Sequence, residues 1–164
     1  MPGITGSRKH AGTKVEKLSQ NIFMYQNQVT TSEEAVSHLF LHCCLQDGEY
    51  TDREIDLLSE KMVLGGLNAK LNFKEEVIKY RAYYDAIRDE VIYIRFLIDL
   101  VKPVNPFALF SYCVELCLSD ALLGAREEHL LQIIGGALQL DLTEQNLCRT
   151  LILQRKAVEI RKIF

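Results

Sequence analysis

Cys44-Leu45-Gln46-Asp47-Gly48-Glu49-Tyr50-Thr51-Asp52-Arg53-Glu54 is the stretch on which the reading of this chain turns. An apolar run closes at Asp47-Gly48, where glycine supplies the left-handed backbone that a helix end often takes. Thr51 and Glu54 then have the spacing of a capping box, with Thr51 as cap and Glu54 as third helical residue. The stretch reads as helix, corner, helix. It returns 73 residues later as Cys117-Leu118-Ser119-Asp120-Ala121-Leu122-Leu123-Gly124-Ala125-Arg126-Glu127, and in both copies an Asp precedes a Glu by seven residues. Gly65-Gly66 and Gly135-Gly136 follow the two copies, and a capped helix follows each pair. The order predicts a two-fold pseudo-repeat of helices with acidic groups at equivalent corners.

Working outward, hydrophobic periodicity predicts helices on both sides of each corner. Thr31 and Glu34 form a capping box ahead of a dense apolar run to about Gln46, which predicts a largely buried helix. Ile55, Leu58, Met62 and Val63 make the inward stripe of the next helix, up to Gly65-Gly66. Asn72 is the expected cap of a helix through Val77, Ile78 and Tyr80. Asp85 to Val101 follows, with Ile87, Val91, Ile94, Ile98 and Val101 as its stripe. Asn105-Pro106 opens Phe107–Ser119, whose only charge is Glu115, and this is expected to be the central helix. Leu130 to Leu138 carry another. Thr143 opens the last, with Leu147, Leu151, Ile152, Val158 and Ile163 among its apolar residues. A short first helix is expected from Val15 to Tyr25. Only Pro2, Pro103 and Pro106 interrupt the 164 residues, which favours helices over a turn-rich β architecture. The fold class expected is all-α, a bundle of seven to eight helices with an internal duplication. Residues 1–13 are expected to be disordered, and 14–164 to form a single domain with a real core.

Charge narrows the partners. The net −3 conceals a +3 excess in residues 1–20 and another in the last ten, leaving about −9 between them. An acidic body disfavours nucleic acid. There is neither a signal peptide nor a membrane span in this reading, while peripheral membrane contact stays open. Five cysteines, Cys43, Cys44, Cys113, Cys117 and Cys148, lie in apolar runs without a CxxC. They read as reduced core thiols of a cytoplasmic protein.

Asp47, Glu49, Asp52 and Glu54 give the first corner oxygen ligands suited to a hard divalent cation such as calcium or magnesium. Folding the halves about a pseudo-two-fold axis would add Asp120 and Glu127, and a cation would relieve the repulsion of the gathered carboxylates. The competing reading is structural, since acids in a first helical turn are favoured by the helix dipole. The first corner is not an EF-hand, because the sixth position from Asp47 is Asp52 and the twelfth is Leu58. Chemistry by Cys43 or Cys44 with His38 or His42 is weak as a pattern; the histidines, which share a helix face, read as partly buried or surface residues. Tyr80, Tyr83, Tyr84 and Tyr93 are expected at the edge of a core, with an interaction patch as the alternative.

Leu45 through Glu54 resembles the first signature of the tellurite-resistance TerB-like domain. Ser119-Asp120 through Glu127, continued by Ile133-Ile134-Gly135-Gly136-Ala137-Leu138-Gln139-Leu140-Asp141-Leu142-Thr143, resembles the second. The resemblance covers about residues 30–150. It implies an all-helical bundle with an internal duplication, whose acidic residues gather on one surface and bind a divalent metal. On the matched positions, Asp47, Glu54, Asp120 and Glu127 would be the metal residues. It further implies a non-enzymatic cytoplasmic module with a protein partner and a link to tellurite or stress response. A metal-free interaction domain is the alternative, and a small metal-dependent hydrolase the third reading. The second corner departs from the pattern: Ala121 replaces the glycine and Ala121-Leu122-Leu123 is apolar.

Overall fold

The computed structural model describes residues 24–45, 51–64, 66, 71–118 and 123–160. The expected disorder of residues 1–13, and the expected first helix as far as Phe23, lie outside them. Seven α-helices and a 3-10 turn follow, and there is no strand among the described residues. Nor, among them, is any helix long and apolar enough to cross a membrane.

Helix α1, Ser32–Cys44, starts as its sequence demands. Thr31 Oγ1 accepts the Glu34 N–H at 3.2 Å, and Glu34 Oε2 accepts the Thr31 N–H at 3.1 Å. Ala35 through Cys43 are buried without interruption, so neighbours enclose the helix on all sides. Helix α2, Asp52–Leu64, turns Ile55, Leu58 and Met62 inward but leaves Val63 exposed. Beyond its end Gly66 takes φ 73°, the left-handed region where a side chain is strained.

Helix α3, Phe73–Tyr83, begins after Asn72, but not through the expected side-chain cap. The Asn72 amide instead donates to Glu75 Oε1 at 3.1 Å. A 3-10 turn, Tyr84–Ala86, breaks the chain before α4, Glu90–Val101. Asp89 sets the new start by accepting the Ile92 N–H at 3.0 Å. The later start changes the inward face to Tyr93, Ile94, Leu97 and Ile98 and exposes Val91. Lys102 at φ 47° ends α4 one residue before Pro103.

Asn105 Oδ1 accepts the Ala108 N–H at 3.0 Å and opens α5, Pro106–Cys117, with proline in the first turn. Helix α6 spans Ala125–Ala137 and α7 spans Leu142–Ile160. The cap of α7 is Asp141 and not Thr143: Asp141 Oδ1 accepts the Glu144 N–H at 2.8 Å, and Glu144 Oε2 accepts the Asp141 N–H at 3.0 Å.

Two helices share the centre. Helix α1 packs on α3, α4 and α5, and α5 packs in turn on α6 and α7. The expectation of Phe107–Ser119 as the central helix thus names one of a pair. The core between them is built from such side chains as Leu39, Leu41, Ile94, Leu97, Phe110 and Leu130, each at or near zero exposure. Each such burial contributes about 1.5–3 kcal/mol before conformational entropy is subtracted. Gly135 lets α6 and α7 close up, since a Cβ there would collide with the Gln145 amide.

Candidate functional site

Of the four residues expected to hold a metal, Asp47 and Asp120 lie outside the described residues, as does the Glu54 side chain. Glu127 is described. It stands half-buried in the first turn of α6, with its carboxylate folded back over the space beside Gly124. Among the described residues no three His, Cys, Asp or Glu side chains are arranged to hold a metal ion.

What is resolved is the pair of helix ends from which the corners depart. The Cys117 thiol, in the last turn of α5, donates to the Cys43 carbonyl, near the end of α1, at 3.8 Å. One ring contact higher, Phe40 of α1 meets Tyr112 of α5 at 6.1 Å between centroids. The two helices therefore run side by side in the same direction and finish together. The Cys43 thiol lies against those of Cys113 and Cys117; the Cys113 contact, more than burial, pushes it up from the ordinary thiol range. Contact with Cys43 and then burial push Cys117 up as well. All five cysteines are free thiols, as composition suggested, and four of them are buried.

The most developed polar arrangement is one that sequence reasoning missed. His38 and His42, one turn apart on α1, are both buried. His38 Nε2 meets Glu76 Oε2 at 2.8 Å, and His42 Nε2 meets Glu90 Oε1 at 2.7 Å. The other ring nitrogens meet phenols: His38 Nδ1 to Tyr83 at 2.5 Å and His42 Nδ1 to Tyr80 at 2.8 Å. Each histidine thus joins a carboxylate from one helix to a tyrosine. The tyrosines expected at a core edge are buried in this network, Tyr84 being the partial exception.

Hydrogen-bond polarity orders the first chain. A carboxylate only accepts, so His38 donates from Nε2–H, and its neutral ring must accept at Nδ1. Tyr83 is then the donor to His38 and accepts from Tyr93, whose hydroxyl is 2.7 Å away. On the other side, Lys79 donates to Glu76 Oε1 at 2.8 Å and to Glu34 Oε1 at 3.1 Å. Glu34 closes the chain onto the start of α1, where its Oε2 also accepts the Thr30 N–H at 2.8 Å. A line of donors therefore runs from Tyr93 in the core to the first turn of α1.

The electrostatics follow from this order. Burial holds the His38 imidazole below its ordinary range, against the opposing pull of Glu76. Burial raises the Tyr83 and Tyr93 phenols. For Glu34, burial alone would raise the carboxyl, but donors from Thr30, Lys79 and Thr31 together hold it at about 2. The His42 hydrogen bond holds Glu90 below the usual carboxylate range. The Glu76 bond raises the Lys79 ammonium.

A third feature lies on the surface. An open groove of about 310 Å³ separates α5 from α7. Phe107, Tyr112 and Glu115 form one wall, and Leu151, Ile152 and Arg155 the other. At its floor the Ser111 hydroxyl and the Cys148 thiol are 3.1 Å apart.

No protein-family model, no curated protein and no solved structure matches the chain.

Proposed function

We propose that the chain is a non-enzymatic, TerB-like helical module, built by internal duplication, that binds a divalent cation at its acidic corners and contacts a protein partner. The observation that carries this reading is the meeting of Cys117 with Cys43 at the ends of α5 and α1. Asp47 follows Cys44 by three residues, and Asp120 follows Cys117 by three. Two acid-bearing segments therefore leave from touching helix ends, and three residues extend at most about 10 Å. Helix boundaries add support. Cys44, Asp52 and Leu64 bound α1 and α2, and their counterparts Cys117, Ala125 and Ala137 each lie 73 residues further on. The buried histidines act as scaffold in this reading, since each ring nitrogen is already engaged within the fold. By the same resemblance a role in tellurite or stress response and a cytoplasmic setting are part of the proposal.

The position of Glu127 favours a second reading, a metal-free interaction domain. Its carboxylate folds onto its own helix start, where an acid is stabilising without any cation. Calorimetric titration with calcium, magnesium, manganese and zinc separates the two. Saturable one-site binding that Asp47→Ala abolishes supports the cation site. Silence toward all four at millimolar concentration removes it and leaves the interaction domain.

A further inference from the structure

Helix α7 carries an apolar ridge that the fold does not cover. Leu147, Leu151 and Val158 are 53%, 52% and 61% exposed. At about 100° per residue they fall within roughly 40° of one another around the helix. With Gln154 they give the 4-3-4 spacing of a helix–helix seam. The opposite side of α7, through Cys148 and Ile152, packs toward α5. The ridge adjoins the groove between α5 and α7, and Leu151 belongs to both. Across the groove Tyr112 is 45% exposed, so the far wall presents an aromatic face.

From this adjacency of ridge and groove we infer that α7 and the α5–α7 groove form the contact between two copies of this chain. A two-fold contact requires that one patch be complementary to itself, with each residue's partner returning the contact. This patch offers a ridge and a hollow side by side on one face. Turning a second copy by half a turn seats each ridge in the other's groove. Charge agrees with that occupant. Glu115 stands on the α5 wall and Arg155 on the α7 wall, so the patch is not of one sign and does not repel itself. The rotation brings the second copy's Arg155 toward Glu115, and the reverse pair forms with it. A partner of strong single charge would match only half of this surface.

The patch is small. Four half-exposed side chains and the groove walls fall short of the roughly 1,600 Å² of a standard interface. The dimer is therefore weak and forms with rising concentration. The inference rests on the partner-binding half of the proposed function and requires no cation.

Sedimentation velocity of the full chain in EDTA, from micromolar to millimolar concentration, tests it. The expected result is growth of a species of twice 18.8 kDa. Leu151→Glu should shift the dissociation constant upward at least tenfold, with helical circular dichroism and Tm unchanged because the side chain is half exposed. Glu115→Arg should weaken the dimer, and Glu115→Arg with Arg155→Glu should restore it. A monomer at every concentration overturns the inference. So does a dimer indifferent to Leu151→Glu, which would lie elsewhere, or one that appears only on adding calcium or magnesium, which would belong to the corners. Failure of the cation titration leaves it untouched.

Discussion

Tyr83 gives its hydroxyl proton to His38 Nδ1 at 2.5 Å while accepting one from Tyr93 at 2.7 Å. The relation is directional. Protonating His38 would make Nδ1 a donor and force Tyr83 to turn its O–H toward Tyr93. The Tyr93 hydroxyl would then have to donate elsewhere from a fully buried position. Charge on this histidine thus faces a hydrogen-bond obstacle in addition to burial.

The tyrosines should differ in consequence. Tyr83→Phe leaves both His38 Nδ1 and the Tyr93 hydroxyl without their bonds, and should cost about 2–3 kcal/mol. Tyr93→Phe removes only the terminal donor and should cost about 1 kcal/mol. Urea denaturation of both variants measures the difference. Equal losses would contradict the assigned direction.

His38→Ala should be the most damaging change in the network, at about 3–5 kcal/mol, because it leaves Glu76 buried beside a void. Differential scanning calorimetry gives the loss. His38→Gln, which can donate to Glu76, should recover part of it.

Stability should fall on mild acidification. His38 is held below its ordinary value of 6.5, so the unfolded chain takes up its proton first. Its contribution is complete above about pH 6.5 and is lost as pH falls through the lowered folded value. Glu90 and Glu34 are also held low, so their losses begin below about pH 4.5, with Glu34 persisting toward 2. A plot of unfolding free energy against pH should therefore decline in two stages. In His38→Gln the first stage should shrink.

The paired glycines of α6 should respond oppositely to alanine. Nothing lies within 4 Å of a Cβ at Gly136, so Gly136→Ala should stabilise by about 0.5–1 kcal/mol through helix propensity. Gly135→Ala drives a methyl into the Gln145 amide, which donates to the Leu140 carbonyl at 2.9 Å. It should destabilise by about 1–2 kcal/mol despite the same gain in propensity. Thermal melts of the two variants decide the sign of each.

Local signals were readable and distant pairings were not. The boxes at Thr31–Glu34 and the Asn105-Pro106 start act within one turn, and the structure repeats them. Asp141 and Thr143 both suit a cap; Glu144, three residues after Asp141, was the distinguishing sign. The histidine network joins residues 38 to 48 positions apart, where no periodicity reaches. Its available trace was a pair of histidines one turn apart in a dense apolar helix, which leaves them nowhere to go but inside. The ridge of α7 was hidden for another reason. Apolar periodicity marks faces that avoid water, without telling whether the same chain covers them. The acidic corners were the most legible sequence feature, yet Asp47 and Asp120 lie outside the described residues.

Glu34 divides its carboxylate between two tasks, one oxygen on the Thr30 and Thr31 amides and the other on Lys79. That sharing makes an inheritance unit of residues scattered along the chain. Replacing Glu34 unsettles a helix start and a lysine at once, and through Lys79 and Glu76 it reaches His38. Kindred chains should therefore keep or exchange Glu34, Lys79, Glu76, His38 and Tyr83 together. The spacing His-x3-His, then Glu-x3-Tyr-x2-Tyr, then Glu-x2-Tyr is a signature by which to recognise them even where the corners have drifted.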